Sequence, residues 1–304
     1  MRWNLTNDIY TGKLIKQIAG FFYVYVDGIG VVECKAKGTL RKDGLKPIVG
    51  DNVEIKCHNV EEKLGNITAL SVRNNELIRP KAANVDQCLI VSAMRSPDVN
   101  YNLLDRLILS MKMQDLPCIL CFNKYDLSDE DKKNEILDIY GKSGIDIIIC
   151  SVKNDENTKA VKEVLKGKTT AIAGPSGVGK STMINYLLGR DEMETGEISA
   201  KISRGKHTTR HAELFAVDID NVSSFIMDTP GFSSVYVPEM DERELKHYYP
   251  EFTAYEDDCK FSSCMHDKEK ECGVKDAVEA GLISRVRYEN YVAIYEEIKN
   301  NNKY

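Results

Sequence analysis

The chain has 304 residues, enough for two or three domains, with 42% apolar against 29% charged residues and nine scattered cysteines. No apolar run reaches the length of a membrane span, and the opening MRWNLTNDIY lacks the apolar stretch of a secretory signal. The expectation is a cytoplasmic protein with no membrane partner, whose thiols are reduced or metal-bound. The net charge of −6 argues weakly against a nucleic-acid binder, but it is uneven: residues 1–70 hold ten Lys and Arg against eight Asp and Glu, residues 236–304 ten against sixteen.

Residues 9–72 read as all-β. Leu14–Ile18, Phe21–Val26, Val31–Cys34, Pro47–Ile55 and Asn66–Leu70 are short strand-like runs, punctuated by Gly20, Gly28, Gly30, Gly38, Gly44 and Gly65. Five short strands in about sixty residues suit a small barrel of the OB type over residues 1–72. Phe21, Phe22, Tyr23 and Tyr25 can supply stacking rings for an oligonucleotide, or half of them can simply fill the barrel. Lys35, Lys37, Arg41, Lys42 and Lys46 face only Asp43, which makes either a phosphate-binding patch or a solvated loop.

From residue 84 strands and helices alternate: Gln87–Ser92, then Leu103, Leu104, Leu107, Ile108 and Met111 at helical spacing, then Pro117–Phe122, a charged helix over 128–140, Ile145–Cys150 and a helix over 157–166. This predicts a parallel sheet covered by helices, in a domain spanning 73–235. Cys118 and Cys121 form C-x-x-C on a strand, where residues three apart face opposite ways, so neither metal nor redox chemistry is expected of them. Cys34, Cys57, Cys88 and Cys150 lie in apolar strand runs and read as small core residues.

Asn123-Lys124-Tyr125-Asp126 reads N-K-x-D at a strand end. A carboxylate at Asp126 can accept from the guanine N1–H and 2-amino group together, donors that adenine lacks. The stem of Lys124 can lie over the base, Asn123 can brace the loop, and amides after Ser151 can donate to the guanine carbonyl. Gly174, Pro175, Ser176, Gly177, Val178, Gly179, Lys180 and Ser181 read G-x-x-x-x-G-K-S between an apolar strand and a helix opened by Thr182. Such a loop turns its amides toward phosphate oxygens, at a helix N-terminus that favours negative charge. Lys180 supplies a cation for the β- and γ-phosphates, and Ser181 a hydroxyl for Mg2+. Asp228-Thr-Pro-Gly231 reads D-x-x-G: Asp228 would hold Mg2+ through a water, and the Gly231 amide would meet the γ-phosphate. Gly205–Arg210 is a polar loop in which Thr208 or Thr209 can complete the Mg2+ shell.

In residues 236–304, Cys259, Cys264, His266 and Cys272 gather three thiols and an imidazole among polar neighbours. Soft thiolates plus imidazole with four ligands suit one closed, structural tetrahedral Zn2+, standing in for a core this segment cannot build. A redox thiol cluster is the alternative. Ser284–Ile298 reads as an amphipathic helix: Val286, Tyr288, Tyr291 and Tyr295 pack or meet a partner, and Arg285 and Arg287 are available to RNA.

These are the motifs of translation-factor-type GTPases in permuted order, with base recognition ahead of the phosphate loop and both switches behind it. Together with Pro47–Asp51, Arg79–Gln87, Asn102–Arg106 and the cysteine segment, the chain resembles the RsgA (YjeQ) family of circularly permuted GTPases. The resemblance implies an OB-type β-barrel, a permuted α/β P-loop GTPase domain and a zinc-binding α-helical domain. It further implies a monomer that binds GTP and GDP, docks on the small ribosomal subunit and its rRNA late in maturation, and leaves on hydrolysis. It favours Thr209 over Thr208. The residue after D-x-x-G is Phe232, which cannot orient water; the family resemblance points to His207, which otherwise reads as an exposed side chain. Arg204 and Arg210 are further candidates for neutralising transition-state charge. The second switch runs straight into the cysteine-bearing segment, so GTP is expected to bias that segment's position. The rivals are a nucleotide-gated RNA-binding module with incidental hydrolysis and a P-loop kinase; N-K-x-D and D-T-P-G argue against the kinase.

Overall fold

A computed structural model describes residues 9–36, 46–78, 81–189, 212–228 and 239–302. Of the basic cluster, residues 37–45 lie outside these; Lys35 stands 5.1 Å over the ring of Phe21. His207, Thr208, Thr209 and Gly231 also lie outside the described residues.

Five strands, β1 (Ile9–Ile18), β2 (Phe21–Val26), β3 (Gly30–Ala36), β4 (Asn52–Asn59) and β5 (Leu64–Leu70), close into a barrel in the order β1-β2-β3-β5-β4. The β2 sequence FFYVYV alternates strictly, so Phe22, Val24 and Val26 enter the core while Phe21, Tyr23 and Tyr25 face outward. Leu14, Val32, Cys34, Val53, Ile55, Cys57 and Ile67 complete that core. Burial pushes the Cys34 thiol up to about 12, as befits an inert core residue. Ala19 and Gly20 both take positive φ, which is what a two-residue hairpin between right-twisted strands requires.

The Pro47–Asp51 run is a corner, not the start of a strand. Asp51 is fully buried and accepts from the Ile48 amide at 2.8 Å and from Arg73 Nε at 2.7 Å. Gly50 has φ +93°, and a Cβ there would lie 1.9 Å from the Ala83 carbonyl oxygen. Only glycine permits that approach. The corner thereby meets the short pair β6 (Glu76–Leu77) and β7 (Ala82–Ala83), with the Ala83 amide donating to Val49 O at 2.8 Å.

The remaining strands are β8 (Gln87–Ala93), β9 (Cys118–Asn123), β10 (Asp146–Ile149), β11 (Thr169–Ala173), β12 (Leu214–Ile219) and β13 (Val222–Asp228), in the order β10-β9-β8-β11-β13-β12. β8, β9 and β10 pair in parallel, as do β11 and β13; β12 runs antiparallel to β13 across an Asp220-Asn221 turn. Every residue of β8 and β11 is buried, the expected state of strands covered on both faces. The helices are α1 (Tyr101–Lys112), α2 (Glu130–Tyr140), α3 (Thr158–Leu165) and α4 (Lys180–Leu188). Asn100 caps α1 by accepting from the Leu103 amide, and Asp129 caps α2 through Lys132. The described residues form two compact units, one of 9–87, 162–172 and 183–228, the other of 88–161, 173–182 and 239–302. No helix among them is long and apolar enough to cross a membrane.

Residues 239–302 carry two short 3-10 helices, Glu242–Tyr248 and Pro250–Tyr255, then α5 (Gly273–Glu279) and α6 (Arg285–Asn301). Here the structure corrects two expectations. The cysteine segment does have a core: Cys264 and Cys272 are buried with Leu245, Tyr249, Phe252, Tyr291 and Ile294, and Leu109 of α1 joins them. Tyr249, Phe252 and Tyr291 meet at ring distances of 5.0–5.3 Å. A metal there adds to packing instead of replacing it.

The second correction concerns Arg287, which is only 1% exposed and cannot present its charge to RNA. It bonds Asp105 of α1 through Nη1 and Glu251 through Nε at 2.8 Å, and its guanidinium lies between the rings of Tyr249 (4.5 Å) and Tyr140 (5.4 Å). Asp105 also accepts from Tyr140 at 3.0 Å and Asn290 at 2.7 Å. Beside it, Arg106 forks onto Glu297 with both terminal nitrogens. A polar key of this kind locks α6 to α1. Replacing Arg287 by Leu leaves two buried carboxylates without their cation, and should lower stability by about 3–5 kcal/mol. Arg285, exposed and paired with Glu279 at 2.9 Å, should change stability little on replacement by Ala, since solvent screens such a pair. Urea unfolding followed by near-ultraviolet circular dichroism checks the contrast; equal losses would mean that the buried pair does not hold the interface.

Candidate functional site

The loop from Gly174 to Gly179 leaves β11 and enters α4. Gly174 has φ +143°, and a Cβ there would sit 2.0 Å from the carbonyl oxygen of Val91 in β8. The phosphate loop is therefore pressed against β8 at a point that admits no side chain. Lys180 opens α4, and its ammonium donates to the carbonyls of Gly174 (2.8 Å) and Pro175 (2.7 Å), spanning the loop from within. Ser181 follows, half-buried in the first turn, and Thr182 is exposed beside it.

The N-K-x-D residues converge on the same loop. Asn123 ends β9 at 3% exposure, donates through Nδ2 to Val178 O at 3.1 Å and accepts at Oδ1 from the Val152 amide at 3.1 Å. One side chain thus ties the phosphate loop to the turn after β10. Lys124 has φ +63° and sends its ammonium to the carbonyls of Gly177 (2.6 Å) and Ser96. Asp126 accepts a 2.6 Å hydrogen bond from the buried hydroxyl of Ser151, which also accepts from the Asn154 amide at 3.3 Å. The Ser151 loop is closed by paired backbone bonds with Glu156 of 3.0 and 2.9 Å. Because Asn123 takes the Val152 amide, the Lys153 amide is the next donor along for a base carbonyl. Beneath these residues Cys121 and Cys150 are core neighbours, Sγ to Sγ 3.6 Å.

Asp228 ends β13, and the strand register sets it beside Ile172, two residues before Gly174. Sequence reading did not single out the Ser96-Pro97 turn after β8, which accepts from Lys124 and lies 3.6 Å from the position a Gly177 Cβ would take. Its only signal is a proline soon after a buried strand.

The second centre is the cluster of Cys259, Cys264, His266 and Cys272, whose ligand atoms all lie within 4.8 Å of one another. His266 Nδ1 is 3.4 Å from Cys272 Sγ and 3.6 Å from Cys259 Sγ, and these two sulfurs are 3.9 Å apart. A tetrahedral zinc ion with bonds of about 2.3 Å to sulfur and about 2.0 Å to nitrogen has S···S edges of about 3.8 Å and S···N edges of about 3.5 Å. The donor set fits. Burial pushes the Cys264 thiol up to about 12, so a thiolate there calls for a compensating cation. The surrounding loop is braced without help from an ion: Tyr288 and Tyr291 of α6 donate to the carbonyls of His266 (2.8 Å) and Met265 (2.7 Å), and Glu269 accepts from the Met265 and Asp267 amides. Glu256 lies 3.8 Å from His266 Nε2, on the side away from the sulfurs.

Comparison with known proteins agrees with these features. Residues 70–238 match the family model described as RsgA GTPase, and residues 11–67 that described as RsgA N-terminal domain. The chain is 48% identical to the small ribosomal subunit biogenesis GTPase RsgA of Agathobacter rectalis over 304 residues, covering 97% of this chain and 100% of that protein. It is 44% identical to the protein of the same name from Clostridium perfringens, covering 95% and 98%. Among solved structures, YjeQ from Thermotoga maritima superposes with a TM-score of 0.77 at 33% identity, covering 96% of this chain and 99% of the other. The circularly permuted GTPase YloQ superposes at 0.75 with 32% identity, covering 99% of each.

Proposed function

Since the chain belongs to the RsgA GTPase family, we propose that it is a GTP hydrolase of small-subunit maturation, acting in the cytoplasm as a monomer. In this reading residues 1–72 and 236–304 bind rRNA and flank a permuted GTPase domain over 73–235. The observation that carries it is the meeting of the guanine-type loop and the phosphate loop: Asn123 on Val178, Lys124 on Gly177, and Ser151 on Asp126. These bonds hold the Asp126 carboxylate and the backbone of the phosphate loop through protein partners of their own, and groups held in this way cost less to order on binding.

The bound base is read by Asp126, oriented by Ser151, with the Lys153 amide toward the base carbonyl. Lys180 exchanges its two loop carbonyls for phosphate oxygens. Ser181, Thr209 and Asp228 are the residues that would hold Mg2+, whose contribution is to neutralise charge on the phosphates. The half-buried Ser181 hydroxyl on the first turn of α4 and the carboxylate of Asp228 at a strand end are oxygen donors of the kind this hard cation takes. The Gly231 amide meets the γ-phosphate, and His207 orients the attacking water. Free turnover is slow and rises when the small subunit brings His207 into play.

The test is turnover of GTP and of ATP with small subunits, large subunits and neither. GTP hydrolysis raised by small subunits alone is expected, and His207→Ala should lower the stimulated rate by about 10²-fold or more. Turnover indifferent to subunits would favour a nucleotide-gated RNA-binding module. Stimulated turnover unchanged in His207→Ala would remove that residue from the mechanism.

A further inference from the structure

The two switch motifs are joined by the β12–β13 hairpin: β12 begins soon after Arg210, and β13 ends at Asp228. The barrel is fastened to this hairpin by side chains of three kinds. Ser223 and Phe225 are two apart on β13 and share a face. Lys13 and Tyr25 are direct cross-strand partners on β1 and β2. The ring of Tyr25 meets Phe225 edge-on at 5.6 Å, and the Lys13 ammonium stands 5.5 Å over the same ring. Phe225 is 9% exposed. Ser223 donates to Asp27 at 2.6 Å and lies 3.5 Å from the Tyr25 hydroxyl. Just before β12, Glu213 pairs with Lys16 of β1 at 2.6 Å. Burial lowers the pKa of Lys13 against the pull of Asp86 and Asp51, as for an ammonium partly withdrawn from water.

An aromatic edge contact, a short hydrogen bond and an ion pair, two of them on β13 and one at the residue before β12, fix orientation as well as proximity. Helix α6, whose Tyr288 and Tyr291 brace the cysteine segment, is keyed elsewhere, to α1 through the Arg287–Asp105 and Arg106–Glu297 pairs. We propose that the barrel is the mechanical output of the switch hairpin. When a γ-phosphate draws on the residues flanking β12 and β13, the barrel follows the hairpin as one body. Ser223 and Phe225 are positioning residues for it and do not touch nucleotide. This rests on the GTPase reading of Asp228 and Thr209, and deepens it by naming the domain whose setting the nucleotide controls.

Hydrogen exchange on the full chain tests it, with GDP and with a non-hydrolysable GTP analogue, alongside fluorescence titrations of both and of an ATP analogue. Protection across residues 9–27 should differ between the two guanine states by about fivefold or more, the lower end of ordinary coupling. In Phe225→Leu combined with Ser223→Ala that difference should vanish while guanine-nucleotide affinity stays within about twofold of wild type. A gentler pair covers the chance that this variant folds badly: Lys16→Glu should damp the difference, and Lys16→Glu with Glu213→Lys should restore it. Wild-type protein that binds both guanine nucleotides yet protects residues 9–27 equally in each would overturn the proposal. So would a difference untouched by either set of substitutions. A failure of the GTPase reading itself appears separately, as titrations without preference for guanine over adenine, and takes the proposal down with it.

Discussion

Stripping the metal from the Cys259, Cys264, His266 and Cys272 cluster should loosen the packing of residues 239–302 around α5 and the start of α6 while leaving the barrel intact. Purified protein is expected to hold about one zinc per chain, and Cys264→Ser to hold little or none. The size of the effect follows from what the ligands share. Cys264 and Cys272 belong to the same core as Phe252 and Tyr291, so their positions set the packing of the rings around them. Without a cation, burial pushes the Cys264 and Cys272 thiols up and so disfavours the thiolates, and the imidazole sits beside them with Nε2 still facing Glu256. Binding energies for structural zinc of about 10–16 kcal/mol near neutral pH exceed the stability of most domains. The core and the Tyr288 and Tyr291 bonds offset part of that loss, so a loosened state with some helix is expected in place of a random chain. Metal analysis, near-ultraviolet circular dichroism and hydrogen exchange before and after chelation measure this. Amides of α5 and the start of α6 should lose protection, and those of β1 to β5, whose core contains none of these residues, should not. Full protection of α5 in metal-free protein would mean that the cluster is not structural.

What could be read in advance was whatever depends on local pattern. Alternation in Phe21–Val26 sets which rings fill the barrel, because side chains on a strand must alternate. G-x-x-x-x-G-K-S and N-K-x-D were legible because their chemistry needs fixed residue types at fixed spacing. The four zinc-type ligands were legible because thiols are rare among polar neighbours. What escaped was long-range pairing. Arg287 reads as a surface charge next to Arg285; only a fold that delivers Asp105, 182 positions away, makes it a buried key. Asp51 looked like part of a strand run, yet it is the buried acceptor for Arg73. Tyr25 looked like a free stacking ring, and it lies against Phe225. In each case the residue type admitted both fates, and the partner lay on a segment that nothing local could bring near.

Asp126→Asn should lower affinity for guanine nucleotides by about 10²–10³-fold and raise affinity for xanthine nucleotides. The carboxylate accepts from two donors on one edge of guanine, and hydrogen bonds to a charged acceptor contribute about 1.5–3 kcal/mol each. An amide keeps one acceptor and places a donor where the 2-amino group also donates, so one bond is lost and a clash of hydrogens is added. Xanthine carries a carbonyl at that carbon, and the new amide donor meets it. The geometry adds a condition. Asp126 is held by the Ser151 hydroxyl at 2.6 Å, and Ser151 is itself fixed by the Glu156 bridge. Ser151→Ala should therefore weaken guanine binding more mildly, by about tenfold, without gain for xanthine, since it frees the carboxylate to turn but leaves its chemistry unchanged. Competition titrations of guanosine, xanthosine and adenosine triphosphates against the wild type and both variants would distinguish the two effects. Equal losses across all three nucleotides in Asp126→Asn would show that this carboxylate shapes the loop and does not read the base.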